Sequence, residues 1–182
     1  SALELFGEGK IEADKKLQLL ILYISTITNI NVLSEDNVRA IVANLQQTSQ
    51  TLVKRNDQCI AMLNCSNLYH TDILNEPNKI QECLTKAKRF AEFAMTNPNN
   101  LNLFVIILNK YLYYIEKGCT FMKSEIINDI IEVVKNHIIT IKTENNNPAF
   151  LADIEKYFET TLEIISNRKK TGHAKILEEI EI

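Results

Sequence analysis

Apolar residues recur along the chain at intervals of three and four positions, which is the spacing of one face of an α-helix. The two clearest stripes are Ile126, Ile127, Ile130, Ile131, Val134 and Ile138, and then Leu151, Ile154, Phe158, Leu162 and Ile165. Charged residues and other polar residues occupy most positions between them. Residues 101–115 differ, because they are apolar or aromatic on almost every side. This pattern predicts amphipathic helices packed around a central, buried helix.

Prolines and capping residues mark where these helices begin. Asn97-Pro98 and Asn147-Pro148 each place an N-cap residue before a proline at the first helical position, where the missing N–H costs nothing. Glu76-Pro77 and Ser34 mark two further starts, Asn56-Asp57 marks another, and Thr120 or Ser124 marks a sixth. With the helical pattern from Ile11 onward, these signals predict helices that begin near residues 11, 35, 57, 77, 98, 121 and 148. The distance from each start to the second start after it is then 41 to 50 residues. Such a period is typical of stacked helix hairpins. We therefore predict an all-α fold, a HEAT-like α-solenoid of antiparallel helix hairpins with about seven helices.

The apolar pattern weakens near residue 168, and a polar stretch follows. The chain also opens without Met in a stretch that already looks helical. We expect residues 1–168 to be an α-solenoid fragment of a longer chain. Residues 169–182 are expected to be a polar, flexible tail, because chain termini fray unless they are docked.

Composition excludes several other classes. The 182 residues are 46% hydrophobic and 24% charged, which is ordinary for a folded soluble domain. With 4 glycines and 3 prolines the chain is poorly suited to a sandwich, barrel or dinucleotide-binding fold. A formal net charge of -3 gives no general attraction for nucleic acid, and no apolar run approaches the length of a membrane span. We expect a cytoplasmic protein that binds no nucleic acid and does not insert into a membrane.

Residue patterns typical of catalysis are missing. The sequence contains no GxGxxG, GxxxxGK[ST], GxSxG or HExxH motif. Cys59, Cys65 and His70 are further apart in sequence than most zinc ligand pairs. These two cysteines, together with Cys83 and Cys119, are expected to be small buried hydrophobic residues, with disulfide formation or metal ligation as alternatives. We predict no enzymatic activity, no cofactor and no metal.

Three groups of residues could instead serve binding. Lys86, Lys88 and Arg89 form a basic patch that is too small and too poor in aromatic residues for nucleic acid. Lys54 and Arg55 precede a predicted helix start; they either compensate a helix C-terminal dipole or form a basic contact point. Tyr111, Tyr113 and Tyr114 lie on one helix and cannot all face inward. Tyrosine is enriched in interface hot spots because its rigid apolar ring carries a polar tip.

At this helix the sequence resembles a known family. Residues 103–117, LFVIILNKYLYYIEK, resemble the penultimate-repeat signature of the vacuolar protein sorting-associated protein 35 family, the scaffold subunit of retromer. Residues 82–87, ECLTKA, resemble the family's ECLKKA helix, and residues 65–69, CSNLY, resemble a helix end of the form C-[AS]-H-L-[FY]. Residues 52–58, LVKRNDQ, resemble LLKKPDQ. The order and spacing of these motifs are kept from about residue 2 to residue 168.

The resemblance implies a function that the periodicity does not. It implies a non-enzymatic scaffold of the retromer endosomal cargo-sorting coat, peripheral on endosomal membranes, in retrograde transport to the Golgi or the plasma membrane. It further implies that residues 1–168 are the C-terminal α-solenoid fragment of the scaffold, the part that binds the metallophosphoesterase-fold retromer subunit in this family. An arrestin-fold retromer subunit binds the N-terminal part, which this chain is expected to lack. The WASH complex and a second scaffold copy are further implied partners.

We expect the aromatic partner anchors to be Tyr69, His70, Tyr113, Tyr114 and Tyr157. Lys54 and Arg55 match basic positions near the family's pairing surface and are candidates for self-association, although Thr51 departs from a third basic position. Two other classes stay open from the residues alone. One is a generic helical-repeat adaptor that binds a peptide or protein in its concave groove. The other is a helical-bundle enzyme, which would require a buried polar cluster in a cleft.

Overall fold

The computed structural model describes residues 12–30, 32–144, 148–172 and 174–182. Within these ranges the chain forms α-helices joined by short connections and no extended β-strand. The helices are α1 Ala13–Thr28, α2 Glu35–Gln50, α3 Arg55–Leu68, α4 Pro77–Ala94, a 3₁₀ helix Pro98–Leu101, α5 Asn102–Glu116, α6 Ser124–Thr143, α7 Pro148–Lys170 and α8 Lys175–Glu178. The predicted all-α, helical-hairpin class of an α-solenoid is confirmed.

The predicted helix starts agree closely with the observed ones, because each depends on a local signal. The starts predicted at residues 35, 77, 98 and 148 are observed at those positions. The Asn97 side chain accepts a hydrogen bond from the backbone N–H of Asn99 at 3.0 Å, as an N-cap does. The starts predicted at 57 and 121 fall at Arg55 and Ser124. The predicted start at residue 11 and the cap at Asn147 lie outside the described residues.

The chain divides into two compact units, Ser1–Ala94 and Met95–Ile182. In the first unit α3 is the central helix, since it packs against α1, α2 and α4. Most of its length is buried, including Cys59, Met62 and Leu68. The sequence pattern did not single out α3 as central, because asparagines and Ser66 interrupt its apolar residues.

In the second unit α5 is central, as predicted, and it packs against α6, α7 and the 3₁₀ helix. Nine of its residues are buried. The helix ends at Gly118, whose φ of 76° is readily adopted only by glycine. There the N–H of Gly118 donates to Ile115 and that of Cys119 donates to Tyr114, which is the Schellman pattern of a helix end.

Residues 169–182, predicted as a flexible tail, contain the last residues of α7 and the single turn α8. Leu177 and Ile180 in this stretch are each only 1% exposed. The stretch therefore has apolar side chains inside the second unit.

Candidate protein interface

Helix α5 presents one of its tyrosines and buries the other two. Tyr113 is 40% exposed, whereas Tyr114 is fully buried and Tyr111 is also buried. Adjacent residues of a helix point about 100° apart, which allows Tyr113 and Tyr114 to lie in opposite environments. Their rings still meet edge to face, with centroids 5.1 Å apart. Of the three tyrosines on this helix, Tyr113 is the one that a partner can reach.

Two lysines flank the exposed ring of Tyr113. Lys110 Nζ lies 4.6 Å and Lys117 Nζ lies 5.7 Å from its centroid, within the range of cation–π interactions. Burial lowers the pKa of Lys110 from its usual range to about 8. Lys110, Tyr113 and Lys117 occupy successive turns of one helix face, and we call them the Tyr113 patch. The Tyr113 patch combines an apolar ring with cationic groups.

Helix α7 also carries exposed apolar residues. Tyr157 is 42% exposed and Ile164 is 44% exposed. Residues seven positions apart on a helix lie on nearly the same face, so these side chains form a second apolar stripe. It is distinct from the buried stripe that includes Phe158 and Ile165. Tyr157 was predicted as an anchor, but Ile164 was missed.

The local pattern does not separate Ile164 from its neighbour Ile165. Some adjacent apolar pairs of the second unit have one exposed member, as Tyr113-Tyr114, Ile138-Ile139 and Ile164-Ile165 do, whereas both members of Ile130-Ile131 are buried. Because the packing of the neighbouring helices decides between these cases, the sequence gives no signal for the exposure of Ile164.

Two predicted anchors in the first unit are less accessible. The Tyr69 side chain is buried, and its hydroxyl donates a hydrogen bond to Gln46 Oε1 at 2.7 Å. Burial raises the pKa of Tyr69, with nearby acidic groups adding to the effect. His70 is half-buried and pairs through its backbone with Asn75. The structure thus places Tyr69 and Tyr114 in the core, and the anchor prediction is narrowed to His70, Tyr113 and Tyr157.

Lys54 and Arg55 lie at the beginning of α3, not at the end of α2. The interpretation that they compensate a helix C-terminal dipole is therefore wrong, because α2 already ends at Gln50 and its C-cap is Thr51. Arg55 instead lies over two aromatic rings, 5.8 Å from the centroids of Phe90 and Phe93. The other interpretation, a basic contact point, stays a prediction.

An exposed aromatic ring lies beside these basic residues. Phe93 is exposed, and the Arg89 guanidinium lies 5.9 Å from its ring centroid on the same helix. We call Lys54, Arg55, Arg89 and Phe93 the Phe93 patch. Arginine and aromatic residues are enriched where protein surfaces bind each other. The patch has the composition of a protein contact.

The buried Gln58 side chain fixes the position of Arg55 in the Phe93 patch by hydrogen bonds. Its Nε2 donates to the carbonyl oxygens of Gln50 and Leu52, both at 2.7 Å, and its Oε1 accepts from Arg55 Nη1 at 2.7 Å. Gln58 therefore connects the end of α2 to the start of α3 and orients the arginine.

No disulfide joins the four cysteines to one another. Cys59, Cys65 and Cys83 are buried as predicted, but Cys119 is partly exposed. Burial raises the pKa of Cys59 to about 12 and that of Cys65 to about 11. The described part of the chain contains no group of three or more histidines, cysteines and carboxylates placed to hold a metal ion. In the described residues no helix is both long enough and apolar enough to cross a membrane.

These observations define an all-α helical-hairpin protein with two exposed patches that combine aromatic and cationic side chains. A model of the family described as "Vacuolar protein sorting-associated protein 35" matches residues 1–137. The chain belongs to this family.

Individual relatives agree with this assignment. Vacuolar protein sorting-associated protein 35B of Arabidopsis thaliana is 30% identical over 172 residues, which are 88% of this chain and 21% of that protein. Vacuolar protein sorting-associated protein 35 of Schizosaccharomyces pombe is 21% identical over 170 residues, 90% of this chain and 20% of that protein. The chain thus spans about a fifth of the length of the curated relatives it matches.

Proposed function

We propose that this chain is part of a non-enzymatic scaffold of the retromer coat, which sorts cargo on endosomal membranes for retrograde transport. Family membership supports this proposal most directly, because about nine-tenths of the chain aligns with curated members of the vacuolar protein sorting-associated protein 35 family. The surfaces described above suit a role in which the chain binds other proteins. The chain would act from the cytoplasmic side, held on the membrane by its partners.

The main partner proposed for this chain is the metallophosphoesterase-fold subunit of retromer. We assign its contact to the second unit, through the Tyr113 patch and the α7 stripe of Tyr157 and Ile164. Burying these rings would remove exposed apolar surface from water, and aromatic anchors of this kind dominate many interfaces. The lysines of the Tyr113 patch would favour carboxylates on the partner.

Calorimetric titration with that subunit tests the proposal. We expect sub-micromolar binding of the wild-type chain with a negative heat-capacity change. Tyr113→Ala and Tyr157→Ala together should weaken binding by about 2 kcal/mol or more, a thirtyfold rise in Kd. Phe93→Ala is the matched control, since Phe93 is an exposed aromatic residue of the first unit. A folded wild-type chain that gives no heat and does not co-elute would instead favour a generic helical-repeat adaptor.

A second scaffold copy is proposed to bind the Phe93 patch. Lys54→Glu with Arg89→Glu should then abolish any self-association seen by analytical ultracentrifugation, without changing the affinity for the phosphoesterase-fold subunit. The WASH complex and the arrestin-fold subunit remain predicted partners of the whole scaffold.

A further inference from the structure

The segment of residues 174–182 is held against the start of α6 by a specific set of contacts. After α7 the chain turns at Gly172, whose φ of 61° favours glycine. The single turn α8 then carries Leu177 into the second unit, and Ile180 follows it. Both side chains are 1% exposed, although glutamates surround them in the sequence.

Asn128 on α6 binds the backbone of this segment through both ends of its amide. Its Nδ2 donates to the carbonyl oxygen of Glu179 at 3.2 Å, and its Oδ1 accepts from the N–H of Glu181 at 2.9 Å. An amide that satisfies the C=O of one residue and the N–H of the second residue after it recognises backbone, with no requirement for a particular side chain. Paired main-chain bonds of this kind recur where proteins bind extended peptides.

One turn before Asn128, Ser124 adds recognition of a side chain. Its hydroxyl donates to Glu179 Oε2 at 2.6 Å. Ser124 is the first residue of α6, a 20-residue helix, so the carboxylate lies at the positive end of the helix dipole. Lys169 on α7 donates to the carbonyl oxygen of Ile180. The segment is therefore bound by backbone hydrogen bonds to Asn128, a carboxylate hydrogen bond to Ser124 and two buried apolar side chains.

We propose that the α6 surface around Ser124 and Asn128 is a peptide-binding groove, and that residues 174–182 are its resident ligand, held in cis and able to detach. Both Asn128 bonds lie at the exposed surface, where water replaces them readily. Ordering nine residues costs conformational entropy that opposes the two apolar anchors and these hydrogen bonds. We take these opposing contributions to leave the bound state favoured by a modest population ratio of about tenfold or more, which the tests below measure; release uncovers the groove. This inference does not depend on the proposed retromer role.

The space beside the segment also permits release. A cleft of about 340 Å³ lies between the α5–α6 turn, at Gly118 and Thr120, and the start of the segment at Ala174 and Ile176. The hydrogen bonds of the segment to α6 are at its other end, at Glu179 and Glu181. The start of the segment therefore has open space beside it into which it can move without disturbing α6.

Hydrogen exchange on the intact chain tests the hydrogen bonds to Asn128. Asn128→Ala should raise exchange in the peptide covering residues 174–182 at least tenfold, while peptides from α5 keep their wild-type protection. Asn136→Ala is the matched control, an exposed asparagine on the same helix, and should leave the segment protected. Unchanged exchange in Asn128→Ala, or an equal rise throughout the second unit, would overturn the proposal.

A peptide added in trans tests the groove. A fluorescent peptide with the sequence of residues 174–182 should bind the full-length Ile180→Asp chain, whose own segment cannot reseat its anchor. It should bind the wild-type chain at least tenfold more weakly, because the tethered segment competes at a high effective concentration. A peptide carrying the same Ile180→Asp change should not bind. If Ile180→Asp retains its helical circular dichroism and binds no peptide, the proposal fails; if it loses that signal, the exchange result on Asn128→Ala decides.

Discussion

Replacing Tyr114 by alanine should destabilise the protein far more than replacing its neighbour Tyr113. Tyr114 is the largest fully buried side chain on the central helix of the second unit. Truncating a buried aromatic ring removes its apolar transfer free energy and leaves a cavity, at a cost of about 3–5 kcal/mol. Tyr113→Ala gives up the edge contact with Tyr114 and cation–π contacts with the half-buried Lys110 and the exposed Lys117, about 1.5–2 kcal/mol in all. The expected difference is therefore about 1–3.5 kcal/mol.

Urea unfolding followed by far-ultraviolet circular dichroism measures this difference directly. A thermal melt followed by the same signal gives a second measure. For a chain of this size each kcal/mol of destabilisation lowers Tm by about 2–4 °C, so Tyr114→Ala should melt about 6–20 °C below the wild type. Tyr157→Ala, another exposed tyrosine of the second unit, serves as the control for loss of a ring without loss of core. Equal destabilisation by Tyr113→Ala and Tyr114→Ala would refute the orientation of α5. The result also decides how binding is tested, because a variant with alanine at both Tyr113 and Tyr114 would confuse a lost anchor with a damaged core, whereas Tyr113 and Tyr157 are both exposed.

Three other changes have expected outcomes. Gln58→Leu should lower the free energy of unfolding by about 2–4 kcal/mol, because two carbonyl groups lose their donor near the core. The control Gln47→Leu, at an exposed position, should lower it by less than about 0.5 kcal/mol. Urea titrations of the two variants measure the difference. Burial lowers the pKa of Lys110 from 10.5 to about 8, so between these pH values the unfolded state binds more protons and this lysine adds stability as pH rises. Lys110→Met should flatten that rise relative to the wild type by about 3 kcal/mol between pH 8 and pH 10.5, and a parallel pH dependence in both proteins would contradict the assignment. Iodoacetamide should modify Cys119 first, since the other cysteines are buried; mass spectrometry that finds equal labelling without denaturant would contradict this.

The positions of the helices were predictable because their signals are local. Proline at the first turn, a capping asparagine and a stripe with a period near 3.6 all act within one or two turns of the helix they define. The starts at Glu35, Pro77, Pro98 and Pro148 needed no tertiary information. The start of α3 was predicted near residue 57 and lies at Arg55, because Asn56-Asp57 is also a good capping sequence. A local signal can thus misplace a helix start by about one or two residues.

The orientation of individual side chains was harder to predict. Tyr113 and Tyr114 have the same chemistry, and the choice between them depends on how α6 and α7 pack against α5. The contact of Asn128 with Glu179 and Glu181 joins residues more than 50 positions apart. Glu179 and Glu181 lie in a short glutamate-rich stretch after a polar turn, and such a sequence is typical of a flexible tail. Such pairings depend on the path of the whole chain and have no local signal.

The two patches differ in how closely binding is coupled to folding. On α5 the exposed ring and the buried ring are separate residues, so Tyr113 can be changed while the core residue Tyr114 stays. At the Phe93 patch the same guanidinium, that of Arg55, lies over the exposed ring and also bonds to the buried Gln58. Removing Arg55 would therefore loosen the junction of α2 and α3 as well as the patch. A test of self-association that uses only Arg55 would measure both effects together, whereas Lys54 and Arg89 at its edge change the surface charge and leave the Gln58 hydrogen bonds in place.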